Sequence, residues 1–256
     1  MGAIVAIANQ KGGVGKTSTA VNLAATWANL GKRILLVDLD PQGNATTAFG
    51  VDKKSLQRSI YQVLAGRCRA SEAVVVPFDP QPHLIPATAD LSGAEVELVG
   101  EIAREQRLKE ALATVADDYD LIIIDCPPSL GLLTLNALVA ANRVLIPMPC
   151  EFLPMEGLSQ LWKILGIVQA RLNPQLTVAG ILFTMFDPRV NLTRQVAEEV
   201  RRHFPNQVLN TVIPRNVRVS EAQSFGQPLI RFDHRAKASV SYQSLAGELA
   251  PLLLAG

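Results

Sequence analysis

Residues 9–18 read Asn-Gln-Lys-Gly-Gly-Val-Gly-Lys-Thr-Ser, directly after the apolar run Ala3–Ala8. A short apolar run that stops at polar residues predicts a buried strand. The glycines at 12, 13 and 15 let the chain curl until its N–H groups point inward, and a helix-period segment, Lys16–Leu30, starts at once. Inward N–H groups beside a helix N-terminus make a phosphate nest, in which Gly12, Gly13, Val14, Gly15 and Ser18 supply the cradle. Lys16 is placed to reach β- and γ-phosphates, and the Thr17 hydroxyl to hold Mg²⁺. A ligand-free glycine turn is the bland reading, and Gly-Lys-Thr at a strand-to-helix junction argues against it. Position 10 is Gln where the usual phosphate loop has glycine, and Lys11 adds a second cation. Beside Lys16 that cation costs repulsion. Turned away, Lys11 can serve the phosphates of a facing subunit; otherwise it is a solvated loop lysine.

Further apolar runs predict strands at Arg33–Val37, His83–Pro86, Leu121–Ile124, Arg143–Ile146, Val178–Phe183 and Val208–Ile213. Helix-period segments lie between them: Glu101–Ala116, Leu130–Ala141, Met155–Leu172 and Leu192–His203, with Ser239–Leu254 at the end. Gly31 is a C-cap for the first helix, and Asn173-Pro174 stops another. The alternation predicts an α/β fold, a doubly wound, mostly parallel sheet with helices on both faces. No linker or repeat divides the chain, so residues 1–256 read as one domain. The proline-bearing stretch Gly66–Asp90 reads as a surface excursion.

Open α/β sheets bind ligands at the carboxyl ends of their strands. Leu121-Ile-Ile-Ile-Asp125 ends an apolar strand in a carboxylate, so Asp125 is a candidate Mg²⁺ ligand, or else an ordinary strand-end acid. Leu35-Leu-Val-Asp-Leu-Asp-Pro-Gln-Gly-Asn44 puts Asp38 and Asp40 on the same edge. One of them can orient an attacking water and the other can support the magnesium shell.

Composition excludes some classes. Formal net charge is +1, so a nucleic-acid or membrane partner needs a local patch rather than a global field. Cys68, Cys126 and Cys150 are widely spaced and odd in number, and His83, His203 and His234 are scattered. They read as reduced thiols and ordinary histidines rather than a metal site. The first residues carry no basic leader and no apolar run is long enough to span a bilayer, so the sequence predicts a cytoplasmic protein. Between 187 and 237 lie Arg189, Arg194, Arg201, Arg202, Arg215, Arg218, Arg231, Arg235 and Lys237, against Asp187, Glu198, Glu199, Glu221 and Asp233. That local excess suits a phosphate-tracking face. For Arg201 and Arg202, beside Glu198 and Glu199, a solvated helix face is the preferred reading.

The motifs Lys11–Ser18, Val37–Asn44 and Asp125-Cys-Pro-Pro-Ser-Leu-Gly131 together resemble the ParA/Soj partition ATPases, within the MinD/ParA group of P-loop NTPases. The likeness continues through Glu156–Leu161, Thr184-Met-Phe-Asp187, Val212–Arg218 and Ser220-Glu-Ala222, nearly the whole chain. The resemblance implies ATP and Mg²⁺ as cofactors and an ATP-sandwich homodimer. Lys11 reaches into the partner's site, and Gly12 and Gly13 lie at the seam. Asp40 is the catalytic aspartate and Asp125 the Walker B aspartate, while Pro214 and Asn216 lie against adenine. It also implies non-specific DNA binding by the dimer, with Arg189 and Arg218 as contacts, a nucleoid-associated location, and a ParB-type centromere-binding partner that stimulates slow hydrolysis. With the loop beginning almost at once, the chain resembles the short chromosomal members, which lack an N-terminal winged helix.

Gln223, Gln227 and Phe232-Asp-His-Arg-Ala-Lys-Ala238 depart from the family pattern near the expected DNA face. Three rival readings share the motifs. A membrane-bound MinD-like protein needs a basic amphipathic end, whereas Leu245–Gly256 has no Lys or Arg and is interrupted by Pro251. An iron–sulfur electron carrier needs two suitable cysteines per chain, and Cys126 reads as a packing thiol. A ParA-like ATPase that positions another cargo differs only in its adaptor.

Overall fold

The computed structural model describes residues 2–79, 82–150 and 154–254, without the side chains of 154–156. Glu156 of the Glu156–Leu161 motif therefore lies outside the described side chains, as do Met1, Pro80, Ala255 and Gly256 altogether. The elements run β1 (Ala3–Ile7), α1 (Lys16–Asn29), β2 (Ile34–Asp38), α2 (Asn44–Ala48), α3 (Ile60–Leu64), α4 (Ala70–Ala73) and β3 (His83–Ile85). Next come α5 (Leu91–Glu97), α6 (Arg107–Ala113), β4 (Leu121–Asp125), α7 (Leu132–Ala140), β5 (Arg143–Pro149) and α8 (Pro154–Arg171). The chain closes with β6 (Thr177–Phe186), α9 (Asn191–His203), β7 (Val208–Pro214), α10 (Val217–Ser224), α11 (Leu229–Phe232) and α12 (Lys237–Leu253).

The seven strands form one parallel sheet in the order β3-β2-β4-β1-β5-β6-β7. Successive residues of each strand face opposite sides, so the apolar runs feed two cores. Ala6, Val37, Ile124 and Ile146 pack with α3, α5, α6 and α7. Val5, Ile7, Leu36 and Ile123 pack under α1 and α12, around Trp27 and Tyr242. Register fixes the functional edge: Ile7 pairs with Asp125, and Asp125 pairs with Asp38. The ends of β1, β4 and β2 therefore align in one row.

Three expectations need correction. Glu101–Ala116 is not one helix; only Arg107–Ala113 is α-helical, and 3₁₀ turns flank it. Ala103 sits at φ 54, which breaks the run. The buried Asn136 of α7 accepts from the Leu108 N–H and donates to the Arg104 carbonyl, so tertiary hydrogen bonds override the amphipathic pattern there. Pro251 does not interrupt the last helix: α12 contains it and ends two residues later. Gly66–Asp90 is more than an excursion: besides the expected edge strand β3 it contributes α4 and an antiparallel bridge between Val75 and Leu84. The Gly31 stop holds. Gly31 has φ 78, and the Lys32 N–H closes on the Trp27 carbonyl at 3.1 Å.

Candidate functional site

The loop after β1 is anchored at both ends. Asn9 donates to the Pro147 carbonyl at 2.7 Å and accepts from the Lys11 N–H at 3.0 Å. The Thr184 hydroxyl donates to the Val14 carbonyl at 2.8 Å. Gly13 and Gly15 take φ of 71 and 89, values that a side chain rarely adopts. Gly12 differs: a Cβ there would meet only Pro128, at an ordinary 3.7 Å. Gly15 caps α1 without a side chain, so the first-turn N–H groups are left for an anion. Lys16 is buried and donates to the Lys11 carbonyl at 3.0 Å, closing the loop on itself. Burial pulls its pKa down, and nearby Asp125 opposes that shift.

Three carboxylates line up beneath the loop. Asp125 is fully buried, and among the described residues neither of its oxygens accepts a well-formed hydrogen bond. Desolvation, then repulsion from Asp38, pushes its pKa well up, while the Thr17 hydroxyl pulls it part of the way back. Buried polar atoms without partners are rare and need an explanation, and a cation held with Thr17 supplies one. Asp38 is differently occupied. One oxygen accepts from both the N–H and hydroxyl of Thr46, at 2.8 and 2.7 Å, and desolvation raises the pKa to about 6. Those bonds spend much of its acceptor capacity on holding α2. Asp40 lines the cleft, with one oxygen accepting from the Gln42 N–H at 2.9 Å. Among the described residues no group of three His, Cys, Asp or Glu side chains is arranged to hold a metal alone. A magnesium bound chiefly through phosphates needs only one or two protein ligands.

The cleft has a volume of about 820 Å³ and runs from Gly12–Ser18 to Ile213–Asn216, with Tyr242 also in its wall. That size suits a nucleotide. Pro214 and Asn216, both expected from the sequence, line its far end. Asn216 caps α10 by accepting from the Arg218 N–H at 3.0 Å, so its amide nitrogen is what it can offer the cleft. Sequence reasoning missed Thr184, Met185, Gln223 and Tyr242 as cleft residues. Thr184 and Met185 lay in a quoted motif, and Met185 has φ 50, unusual for a side chain this bulky. Gln223, noted in the sequence only as a departure from the family pattern, lines the cleft and donates to the Ser18 hydroxyl at 3.1 Å.

Arg189 and Arg218 follow the carboxyl ends of the neighbouring strands β6 and β7, on the cleft's edge of the sheet. Arg189 grips Asp187 with two bonds of 2.9 and 2.7 Å and holds that carboxyl at about 2. Arg218 bonds Glu221 at 2.9 Å and lies 3.8 Å from Asp233. The face is thus partly neutralised from within. Cys126 is buried in the core, with its thiol pushed up chiefly by desolvation, as a packing thiol is. No helix among the described residues is long and apolar enough to cross a membrane.

A family model described as an AAA domain matches residues 2–178. The sporulation initiation inhibitor protein Soj of Bacillus subtilis is 52% identical over 250 residues, which cover 98% of this chain and 99% of that one. The chain belongs to the Soj/ParA family of chromosome-partitioning ATPases. The chromosome partitioning protein ParA of Myxococcus xanthus is likewise 52% identical, over 97% of this chain and 88% of its own. Among solved structures, cobyrinic acid a,c-diamide synthase of Mycobacterium smegmatis, with a bound ATP analogue and magnesium, superposes with a TM-score of 0.85. It is 39% identical, covering 98% of this chain and 95% of that one. Lys11, Lys16, Asp40 and Asp125, the residues expected from the sequence, therefore sit in a fold shared with a protein seen to hold an ATP analogue.

Proposed function

We propose that this chain is an ATP-driven partition switch. ATP binds the cleft with its phosphates on residues 11–18 and its adenine toward Pro214 and Asn216. Thr17 and Asp125 would hold Mg²⁺, with Asp38 behind them, and the ion supplies charge neutralisation on the β- and γ-phosphates. The observation that carries this reading is Asp125, buried, with no well-formed hydrogen bond among the described residues, close to the Thr17 hydroxyl and one strand from the phosphate loop. Lys16 leaves the Lys11 carbonyl for the phosphates, a better partner for an ammonium. Asp40, at the cleft wall, orients the attacking water.

Two copies close face to face over their nucleotides, and Lys11 serves the partner's phosphates. Gly12 supports this part, since its own subunit leaves room for a side chain. A glycine that its own chain does not crowd fits, beyond its place in the phosphate nest, a surface that another chain approaches closely. The dimer binds DNA without sequence preference through the Arg189 and Arg218 face, and a ParB-type protein stimulates hydrolysis and resets it. ATP drives the change because a sandwich contacts it from both sides. Light scattering tests the assembly: the expected result is a dimer with ATP, a monomer with ADP, and a Gly12→Val variant that binds ATP yet stays monomeric. A Gly12→Val dimer contradicts the seam.

A further inference from the structure

Ser18 lies in the first turn of α1, one residue past Thr17, and its hydroxyl accepts from the Gln223 amide across 205 residues of sequence. A second tie sits one turn along. The Asn22 amide donates to the Ser18 carbonyl at 2.8 Å, and its oxygen accepts from the Leu229 N–H at 2.8 Å in a buried position. The phosphate-loop helix therefore holds both α10 and α11. A hydroxyl that takes a hydrogen bond from an amide has one proton left to give. Ser18 and Gln223 both line the cleft, where the acceptor-rich occupant is a nucleotide phosphate.

We infer that Gln223 is a positioning residue for nucleotide binding: by donating to the Ser18 hydroxyl it turns that hydroxyl's proton toward the phosphate chain. The inference rests on the cleft holding a nucleoside di- or triphosphate. It explains why a residue of α10 reaches back across the site, and why a glutamine, which can donate, stands there. The same bond fixes α10 against the loop, so Asn216 and Arg218 at its start take their places from Ser18.

A double-mutant cycle read by calorimetry with ADP and Mg²⁺ tests it. Gln223→Leu and Ser18→Ala are each expected to weaken ADP binding about tenfold, the size of one hydrogen bond to a charged group. The double variant is expected to be no weaker than the weaker single, because both changes remove one arrangement. Ser18→Thr keeps the hydroxyl and is expected to weaken ADP binding less than Ser18→Ala does. Additive effects overturn the inference, and so does inorganic pyrophosphate binding Gln223→Leu as tightly as the parent, because a residue that only fastened α10 would act on the adenine side and leave a ligand without adenine untouched. Unchanged affinity in Gln223→Leu overturns it too. Failure of the parent protein to bind ADP or ATP is a different result, since it removes the nucleotide site itself.

Discussion

Asp125 and Asp38 put two buried carboxylates side by side at the ends of neighbouring strands. Their folded pKa values lie above the unfolded one, Asp38 at about 6. The fold therefore favours their neutral forms, and stability falls as pH rises from about 4 through those values. Nucleotide-free protein should show a lower Tm at pH 7 than at pH 5. Asp125→Asn should raise the Tm at pH 7 and flatten that slope, and thermal scans at pH 5, 6 and 7 would show it; an unchanged slope contradicts the account. Asp40 is only slightly exposed and faces the cleft, so Asp40→Ala should keep ATP affinity and dimerisation while lowering hydrolysis at least a hundredfold, by phosphate-release assay. Lys16, Thr17, Asp40 and Asp125 were legible because each sits in a short motif beside a strand end, whereas Pro214 and Asn216 were legible only through the resemblance. Gln223 and Tyr242 were not, since their place in the cleft depends on α10 and α12 folding back onto α1.

At the scale of elements, the long strands and helices were readable from apolar runs, Gly31 and the Asn173-Pro174 stop. Short ones such as α2, five residues long, were not, because tertiary bonds build them. Thr46 ties α2 to Asp38 and also accepts from the Ala87 N–H at 2.9 Å. Gly43 starts α2 at φ 61, and a Cβ there would meet the Ala87 carbonyl at 2.9 Å. Gly43→Ala should therefore destabilise the fold by about 1–3 kcal/mol, in urea unfolding, and disturb the Asp40 turn with it. A neutral result would mean the turn can relax. The failed helix over 101–116 belongs here as well, since an amphipathic pattern cannot foresee that Asn136 will claim the Arg104 carbonyl and the Leu108 N–H.

Over the whole molecule, the alternation of strands and helices was enough to predict a doubly wound parallel sheet, and the register then places the phosphate loop, the three aspartates and the two arginines on one edge. What alternation does not give is strand order. β4 inserts between β1 and β2, and that insertion brings Asp125 beside the loop. The local excess of arginine was legible; its internal pairing with Asp187, Glu221 and Asp233 was not. The most direct test of the switch is binding of a non-specific DNA duplex with ATP, ADP or no nucleotide, at two salt concentrations. The account predicts binding with ATP alone, falling steeply with salt, and lost in Arg218→Glu without loss of ATPase activity. Equal DNA binding in all three nucleotide states, or none with ATP, would contradict it.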